Sequence, residues 1–450
     1  MIVRRLLLWA GITVLGIVTL FVVNVGVHRL AGLDAAQREA MVTLADVRAA
    51  PREGRNAFAL LWLMPYDVAD ADIERLAADD VREANARVVA GRPLGDLAPA
   101  DRPRLAALTH ADPGLCRARE HGCLAHVRSN QEATRALVAT QARRLARLRT
   151  LEQRDYYHYA FPHAPDMPIP AVDPIQRLEL SALALDFIDG DRAEAIAGVC
   201  RNIATWRRLR HGTDSLIFSM MAVAYVGVAI DLAGDMLAES PIAEPVPAEC
   251  GEAFAPIAEA DVDFCSEAAG ESAFAAAVSD DLVARDRSEN PRGPLERALF
   301  SLTYDREQTS ATRALALAGY CSAEQRARSL ADGDGPPPRA GAGPLACAAN
   351  LVGCGFDMAS VDPYEDYRER LLDMAAKLRL GATVLWLRET RDDPRPLAER
   401  FAARPEHLRS GTRATGIGDD GRSIWVANLD TRKFGERTTL ALAPPVEASP

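Results

Sequence analysis

Pro174-Ile-Gln-Arg-Leu178-Glu-Leu180-Ser-Ala-Leu183-Ala184-Leu-Asp-Phe187-Ile-Asp-Gly190-Asp191-Arg-Ala-Glu194-Ala-Ile196 is the stretch whose reading decides the fold. Pro174 suits a first helical turn, where its missing N–H would have no partner in any case. Leu178, Leu180, Leu183, Ala184 and Phe187 then supply apolar positions. Gly190-Asp191 breaks the run with a residue free to take the left-handed conformation that ends helices. A second helix is expected through Ile196, Val199, Ile203 and Trp206, so the unit reads as a helical hairpin. A third helix, from Asp214 to Leu237, has no charge between Leu216 and Ile230. That run falls short of the roughly 20 apolar residues of a membrane span, and Asp214, Asp231 and Asp235 bracket it, so a buried core helix is expected.

The turn from Gly190 to Ile196 resembles that of a tetratricopeptide unit. No second copy follows at a period near about 34 residues, so no repeat array is expected.

Outward from this hairpin the chain reads as predominantly helical. On the amino-terminal side, helices are expected from Leu33 to Ala49 and from Asp70 to Val89, with Ile73, Leu76, Ala77, Val81 and Ala84 near one face. Between them lies the compact apolar segment Asn56 to Met64, stopped by Pro65. A polar stretch from Gly91 to Pro103 precedes a long basic helix from Gln131 to Asp155, striped by Leu137, Val138, Gln141, Leu145 and Leu148. On the carboxyl side, Pro241, Pro245 and Pro247 mark a sub-boundary near 241–247, and an acidic helical segment runs on to Asp286. Within it Glu259, Asp261 and Asp263 alternate, but the spacing and glycine of a calcium hand are missing, so a solvated helix end is the expected role. Further helices are expected from Pro294 to Tyr304 and from Glu307 to Leu330.

Asp332-Gly-Asp-Gly-Pro-Pro-Pro-Arg-Ala-Gly-Ala-Gly-Pro344 opposes both helix and strand and reads as an exposed linker. Beyond it, residues 345–450 form a small α+β part. It has an amphipathic helix from Tyr364 to Arg391, a short helix at Leu397 to Phe401, and strands at Ala414–Ile417, Ser423–Ala427 and Thr438–Leu442. Gly416-Ile-Gly418-Asp-Asp-Gly421 formally matches a dinucleotide loop. That motif must open a helix to receive a pyrophosphate, and here it leads into a strand, so turn chemistry is its reading.

The chain begins with Arg4-Arg5 and then Leu6 to Val27 without an ionisable group, closed by His28 and Arg29. At 1.5 Å per residue this run spans roughly 33 Å, matching a hydrocarbon core of about 30 Å. It is longer than a signal-peptide core of about 7 to 15 residues and lacks a convincing Ala-x-Ala exit. An uncleaved anchor spanning the bacterial inner membrane through residues 6–27 is expected. Lys and Arg counting places Arg4 and Arg5 in the cytoplasm and the rest in the periplasm.

Eight cysteines fit an oxidising compartment: 116, 123, 200, 250, 265, 321, 347 and 354. Cys116 to Cys123 and Cys347 to Cys354 share the spacing C-x5-G-C. On a straight helix such pairs would lie about 10 Å apart, beyond the roughly 7 Å reach of a disulfide, so Gly122 and Gly353 are each expected to turn the chain. Cys200, Cys250, Cys265 and Cys321 allow three connectivities. His110, Cys116, His121, Cys123 and His126 fall close together and suggest zinc, but their spacing matches no familiar zinc module, so no metal is expected.

A net charge of −11 argues against a nucleic-acid surface, and Lys377 and Lys433 are the only lysines. No H-E-x-x-H, G-x-S-x-G or phosphate loop occurs, and no cofactor is expected. One stretch remains as a candidate site: Asp155-Tyr156-Tyr157-His158-Tyr159-Ala-Phe161-Pro-His163-Ala-Pro-Asp166, ending at Pro170. His158, His163, Asp155 and Asp166 there supply proton-transfer chemistry if they line a pocket, and core packing if they do not.

The long helix, proline loop and Asp-Gly hairpin of the last part look similar in layout to type II secretion pseudopilins. The anchor lacks their processing signature, so nothing is carried over from them. Cys200-Arg-Asn-Ile-Ala-Thr-Trp206-Arg-Arg-Leu209 and Asp214-Ser-Leu-Ile217, with the Cys116 loop, resemble an uncharacterised family of membrane-anchored proteobacterial envelope proteins. That resemblance implies an anchor and a helical body, and no activity.

The expected architecture is mainly α. It comprises an n-region and transmembrane anchor (1–30), an irregular helical domain of hairpins (31–331), a linker (332–344) and an α+β part (345–450) with a β-hairpin or three-stranded meander. The expected role is to bind or scaffold another envelope protein. An envelope hydrolase working near His158 and His163 is the alternative.

Overall fold

The computed structural model describes residues 2–97, 102–116, 122–170, 173–289, 293–333, 335, 343–360 and 362–443. Helix α1 (Ile2–Ala31) is long and apolar enough to cross a membrane, and every side chain from Leu8 to Leu20 is exposed. Helix α2 (Ala35–Ala49) follows after a capping box. Asp34 Oδ1 accepts from Gln37 N at 2.8 Å while Gln37 Oε1 accepts from Asp34 N at 3.0 Å. These reciprocal bonds satisfy two donors that a helix start leaves open.

Helix α3 (Phe58–Trp62) is buried along its whole length, as its unbroken apolar sequence requires, and packs on α4 (Ile73–Val89). Trp62 Nε1 donates to Asp80 of α4 at 2.7 Å, and Arg102 closes on the same carboxylate with two bonds of 2.7 Å. After α5 (Cys123–Ser129), the long basic helix expected over 131–155 is instead two pieces, α6 (Gln131–Thr140) and α7 (Ala142–Arg149), followed by a 3-10 turn. The break at Gln141 has a cause. This side chain is buried and donates to Ala107 O at 3.1 Å, drawing the helix into an adjacent loop. Arg147 of α7 is 2% exposed and donates to Leu63 O and Tyr66 O.

The hairpin forms as expected. Helices α8 (Asp173–Asp189) and α9 (Arg192–Arg210) turn at Gly190, whose φ is 111°. They approach so closely that a Cβ on Gly198 would stand 2.4 Å from Leu183 Cδ2. Helix α10 (Leu216–Glu239) is the core helix, with Ala222, Val226, Ala229 and Ile230 fully buried. At about 1.5 to 3 kcal/mol for each large apolar side chain, this burial explains why α10 is an interior helix despite its membrane-like composition.

Helices α11 (Glu249–Ala253) and α12 (Glu259–Val262) are short, and α13 (Cys265–Glu289) is long. Next come α14 (Pro294–Thr303), α15 (Arg306–Ala318) and α16 (Ala323–Leu330). α2 lies against α13 and α15. Asp261 is not the solvated helix end that its acidic neighbours suggest. It is fully buried, because Arg207 reaches it from α9 with Nη2 at 2.6 Å from Oδ2. Arg207 also donates to the carbonyls of Ala253, Ala255 and Pro256, clamping the loop between α11 and α12.

Residues 334 and 336–342 of the proline-glycine linker lie outside the described residues. Asp332, placed at its exposed start, is instead 1% exposed. Its carboxylate accepts from Arg413 Nε at 2.9 Å and from Ser410 Oγ, and Arg413 also pairs with Asp373. A charge this deep is stable only when paired, and the pair ties residue 332 to the C-terminal part.

Beyond that point come α17 (Pro344–Ala349), α18 (Leu351–Ser360), α19 (Asp362–Glu389) and α20 (Leu397–Ala402). The sheet is an antiparallel meander of β1 (Thr415–Ile417), β2 (Ser423–Ala427) and β3 (Arg437–Ala441), with α21 (Thr431–Phe434) between the last two. Gly416 pairs with Trp425 and Ile424 with Leu440. The glycines of the G-x-G-x-x-G match have local reasons. A Cβ on Gly416 would meet the Trp425 ring at 2.7 Å, and Gly421 takes φ +66° in the turn. Helix α19 and strand β3 both pack on α10, so one hydrophobic core runs through the helical body and the C-terminal part.

All eight cysteines pair. The bonds are Cys116–Cys123, Cys200–Cys250, Cys265–Cys321 and Cys347–Cys354, with Cα separations of 4.9, 4.9, 4.6 and 5.4 Å. Gly122 turns the first short loop as expected, at φ +89°. Gly353 does not turn the second. It lies inside α18, and the bend falls at Asn350, with φ −140° and ψ 57°. The glycine is needed there for space, since a Cβ would stand 2.0 Å from Thr309 Oγ1.

Candidate functional site

The segment 155–170 crosses the hairpin as an extended strap, pinned at its start by one side chain. Asn56 Oδ1 accepts from His158 N at 3.0 Å, and Asn56 Nδ2 donates to His158 O at 2.8 Å. Tyr157 N donates to Leu209 O at 3.3 Å, fixing the strap to the end of α9. Its aromatic side chains turn inward. Tyr157 stacks on Phe218 with ring centroids 3.6 Å apart, and Phe161 meets Trp62 edge-on at 4.8 Å. Burial pushes the Tyr157 hydroxyl well above its ordinary pKa, so that ring is neutral packing.

The alternation that sends Tyr157 and Tyr159 inward leaves His158 on the other side, one third exposed, with Nδ1 2.9 Å from Asp214 Oδ1. Asp214 precedes α10 and is 3% exposed. Burial alone would raise its pKa. The contact with His158, the Tyr159 amide at 3.3 Å and the charge of Arg52 outweigh that and hold the carboxyl below its usual range. His163 completes the cluster. Burial first, and then Arg48, lower its pKa against the opposing pull of Asp214, and its ring packs against Tyr159 and Phe274. The arrangement is a carboxylate-oriented imidazole beside a neutral one, at the junction of the α2 end, the strap and the α9–α10 turn. It presents a carboxylate-held imidazole ring to solvent at His158. Among the described residues no serine, threonine or cysteine is hydrogen-bonded to that ring, so the nucleophile half of a hydrolytic triad is not assembled.

The four candidates of the strap therefore separate. His158 and His163 come together. Asp155 instead accepts from Arg55 N at 2.7 Å beside the turn at Gly54, and Asp166 accepts from Leu94 N at 2.7 Å and Gly95 N at 3.0 Å. Both are loop clamps. Asp214, which sequence reasoning uses only to bracket an apolar run, is the residue it missed. Its place one residue before the Ser215 N-cap was the available signal.

The metal candidates do not converge. Cys116 and Cys123 are bonded to each other, His126 Nε2 lies 2.9 Å from Pro113 O, and His110 Nδ1 lies 2.5 Å from Arg177 Nη2. His121 lies outside the described residues. Among the described residues no three His, Cys, Asp or Glu side chains gather as a metal-binding group.

A second set of buried ionisable groups lines α9 and α13. Arg210 Nη1 donates to Glu267 Oε1 at 3.0 Å, and Ser219 Oγ donates to the same oxygen at 2.6 Å. Glu271, one turn on, accepts from Tyr364 at 3.2 Å. Burial pushes Glu267 and Glu271 each up to about 7. Glu179 is likewise raised by burial to about 7. It accepts from Asn202 beside a cavity of about 10 Å³, lined by Leu148, Leu151, Thr205 and Trp206 among others. That cavity is too small for a substrate, since ligand pockets run from about 300 Å³ upward.

Comparisons with family profiles, with curated proteins and with solved structures return no match for this chain.

Proposed function

We propose that this chain is a single-pass, membrane-tethered binding protein of the bacterial envelope, with its helical body in the periplasm and a docking role toward another envelope component. The observation that carries the reading is the contrast between α1 and the rest. α1 is an apolar helix left bare from Leu8 to Leu20, whereas every cysteine of the body it leads into is consumed in a disulfide. Stable disulfides are at home outside the reducing cytoplasm, and the Arg4-Arg5 side of the helix favours the cytoplasmic face. The resemblance of the Cys200–Leu209 segment to anchored proteobacterial envelope proteins is part of the same proposal. Crosslinking in native membranes followed by co-purification tests it, together with a carboxyl-terminal reporter that is active only after export. A specific crosslinked partner and an active reporter are expected. Recovery of a cytosolic, reduced, monomeric chain overturns it.

A second reading, an envelope hydrolase, is favoured by one observation, the His158–Asp214 contact at 2.9 Å. It requires that an activity found in a screen of the solubilised full chain disappear in His158→Ala. Survival of the activity in that variant overturns the reading.

A further inference from the structure

We propose that α14, α17 and α18 form a second membrane-contact surface, seated in the leaflet where α1 emerges, that holds the helical body against the bilayer. This rests on the reading of α1 as a membrane span.

The depth of the surface follows from one hydrogen bond. Asn24 lies within the apolar run, three residues before its end at Val27, or about 5 Å along the helix axis. Its side chain Nδ2 donates to Leu345 O of α17 at 2.8 Å. A polar group at that level needs a protein partner, because lipid chains offer none. α17 supplies that partner, and Val25 beside it is covered to 2% exposure while the helix toward Leu8 stays bare. So α17 stands at the level of the last turn of the span. Interfacial helices bury their apolar faces at comparable depth, about 5–10 Å into the boundary of headgroups and acyl chains.

The exposed side chains suit that position. From Gly343 to Phe356 no residue carries a charge. Leu345 is 69% exposed and Leu351 52%, while the Cys347–Cys354 bond fastens their two helices together. α14 packs on both α17 and α18, and adds Leu295 and Leu299, one turn apart and 73% and 53% exposed. Its Glu296 and Arg297 fall off that stripe, as an interfacial helix requires. Arg29, just past the span, donates to Ser301 O and to Tyr304 O and lies near Asp305, fixing the α14 end at the headgroup level. Four exposed leucines around the exit of a membrane helix would be a liability in water and are an asset against lipid.

The test uses the full chain in nanodiscs of phosphatidylethanolamine and phosphatidylglycerol containing a lipid with a photoactivatable diazirine in its acyl chain, with adducts mapped by peptide mass spectrometry. Adducts are expected on α1 and also on the peptides carrying Leu295–Leu299 and Leu345–Leu351. In the double variant Leu345→Ser and Leu351→Ser, adducts on α17 and α18 should fall several-fold. Those on α1, and the far-ultraviolet circular dichroism, should stay unchanged. Labelling of α1 alone overturns the inference and leaves the anchor standing. Labelling of neither overturns both. Adducts on α17 and α18 that persist in the double variant also overturn it.

Discussion

His158 Nδ1 stands 2.9 Å from Asp214 Oδ1, and the residues are joined from two directions, the strap fixed by Asn56 and the turn that leads into α10. Asp214 is nearly fully buried, so its charge depends on His158, the Tyr159 amide and the field of Arg52.

His158→Ala should therefore destabilise the fold by about 1–3 kcal/mol, the cost of leaving a buried polar group short of a partner. The sign of the pH effect follows from the lowered pKa of Asp214. A carboxyl held below its unfolded value adds stability above that value and loses it as pH falls through the folded one. Without His158 this loss should begin at higher pH. Urea unfolding midpoints of both proteins from pH 6 down to pH 3 measure it, and coincident acid limbs would contradict the pairing.

Gly270 reports on the same junction from the other side. A Cβ there would stand 1.7 Å from Asp214 O, a backbone atom that has no rotamer by which to move aside. Gly270→Ala should push α13 away from the α9–α10 turn and cost about 1–3 kcal/mol, the usual range for overpacking. Gly251→Ala, with open space around its Cβ, is the control and should unfold near the wild-type midpoint.

The four disulfides should differ in weight by loop length. Cys200–Cys250 and Cys265–Cys321 close loops of 50 and 56 residues, against separations of 7 for the other two. On chain entropy alone a long loop should contribute about 1.7 kcal/mol more than a short one. Paired Cys→Ser variants compared by urea midpoint test this ordering, and non-reducing peptide mapping tests the connectivity itself.

Much of this fold was legible because helices and hairpins are written locally. The α8–α9 turn needs Gly190, and the β1–β2 turn needs Gly421, so both stand in the sequence as punctuation. Ser423 to Ala427 carries Ile424, Trp425 and Val426, residue types that favour strands, and is a strand over that same span. What was hidden lies in partners far apart in sequence. Arg207 and Asp261 are 54 residues apart, and His158 and Asp214 are joined only when the strap crosses the hairpin. An aspartate among acidic neighbours looks solvated until the arginine that buries it is known. Gln141 looks like one more position on a stripe until Ala107 offers it a carbonyl. The same holds for the site, since two histidines six residues or fewer apart announce themselves and the carboxylate that orients one of them does not.

The acid face of α13 gives the last test. Burial raises Glu271 to about 7, above its unfolded value near 4.5, so the folded state holds a proton that the unfolded chain releases. A group shifted in this direction contributes fully below pH 4.5 and loses its contribution as pH rises toward 7, with a slope of at most about 1.4 kcal/mol per pH unit from one site. Glu271→Gln keeps an oxygen to accept from Tyr364 and has no proton to lose. Its stability should therefore fall less than wild type between pH 5 and pH 7.5, and the two should differ most at the upper end. Chemical unfolding at a series of pH values measures the difference. Parallel curves would mean that Glu271 ionises as freely in the folded protein as in the unfolded chain, and that the Tyr364 contact leaves it open to water.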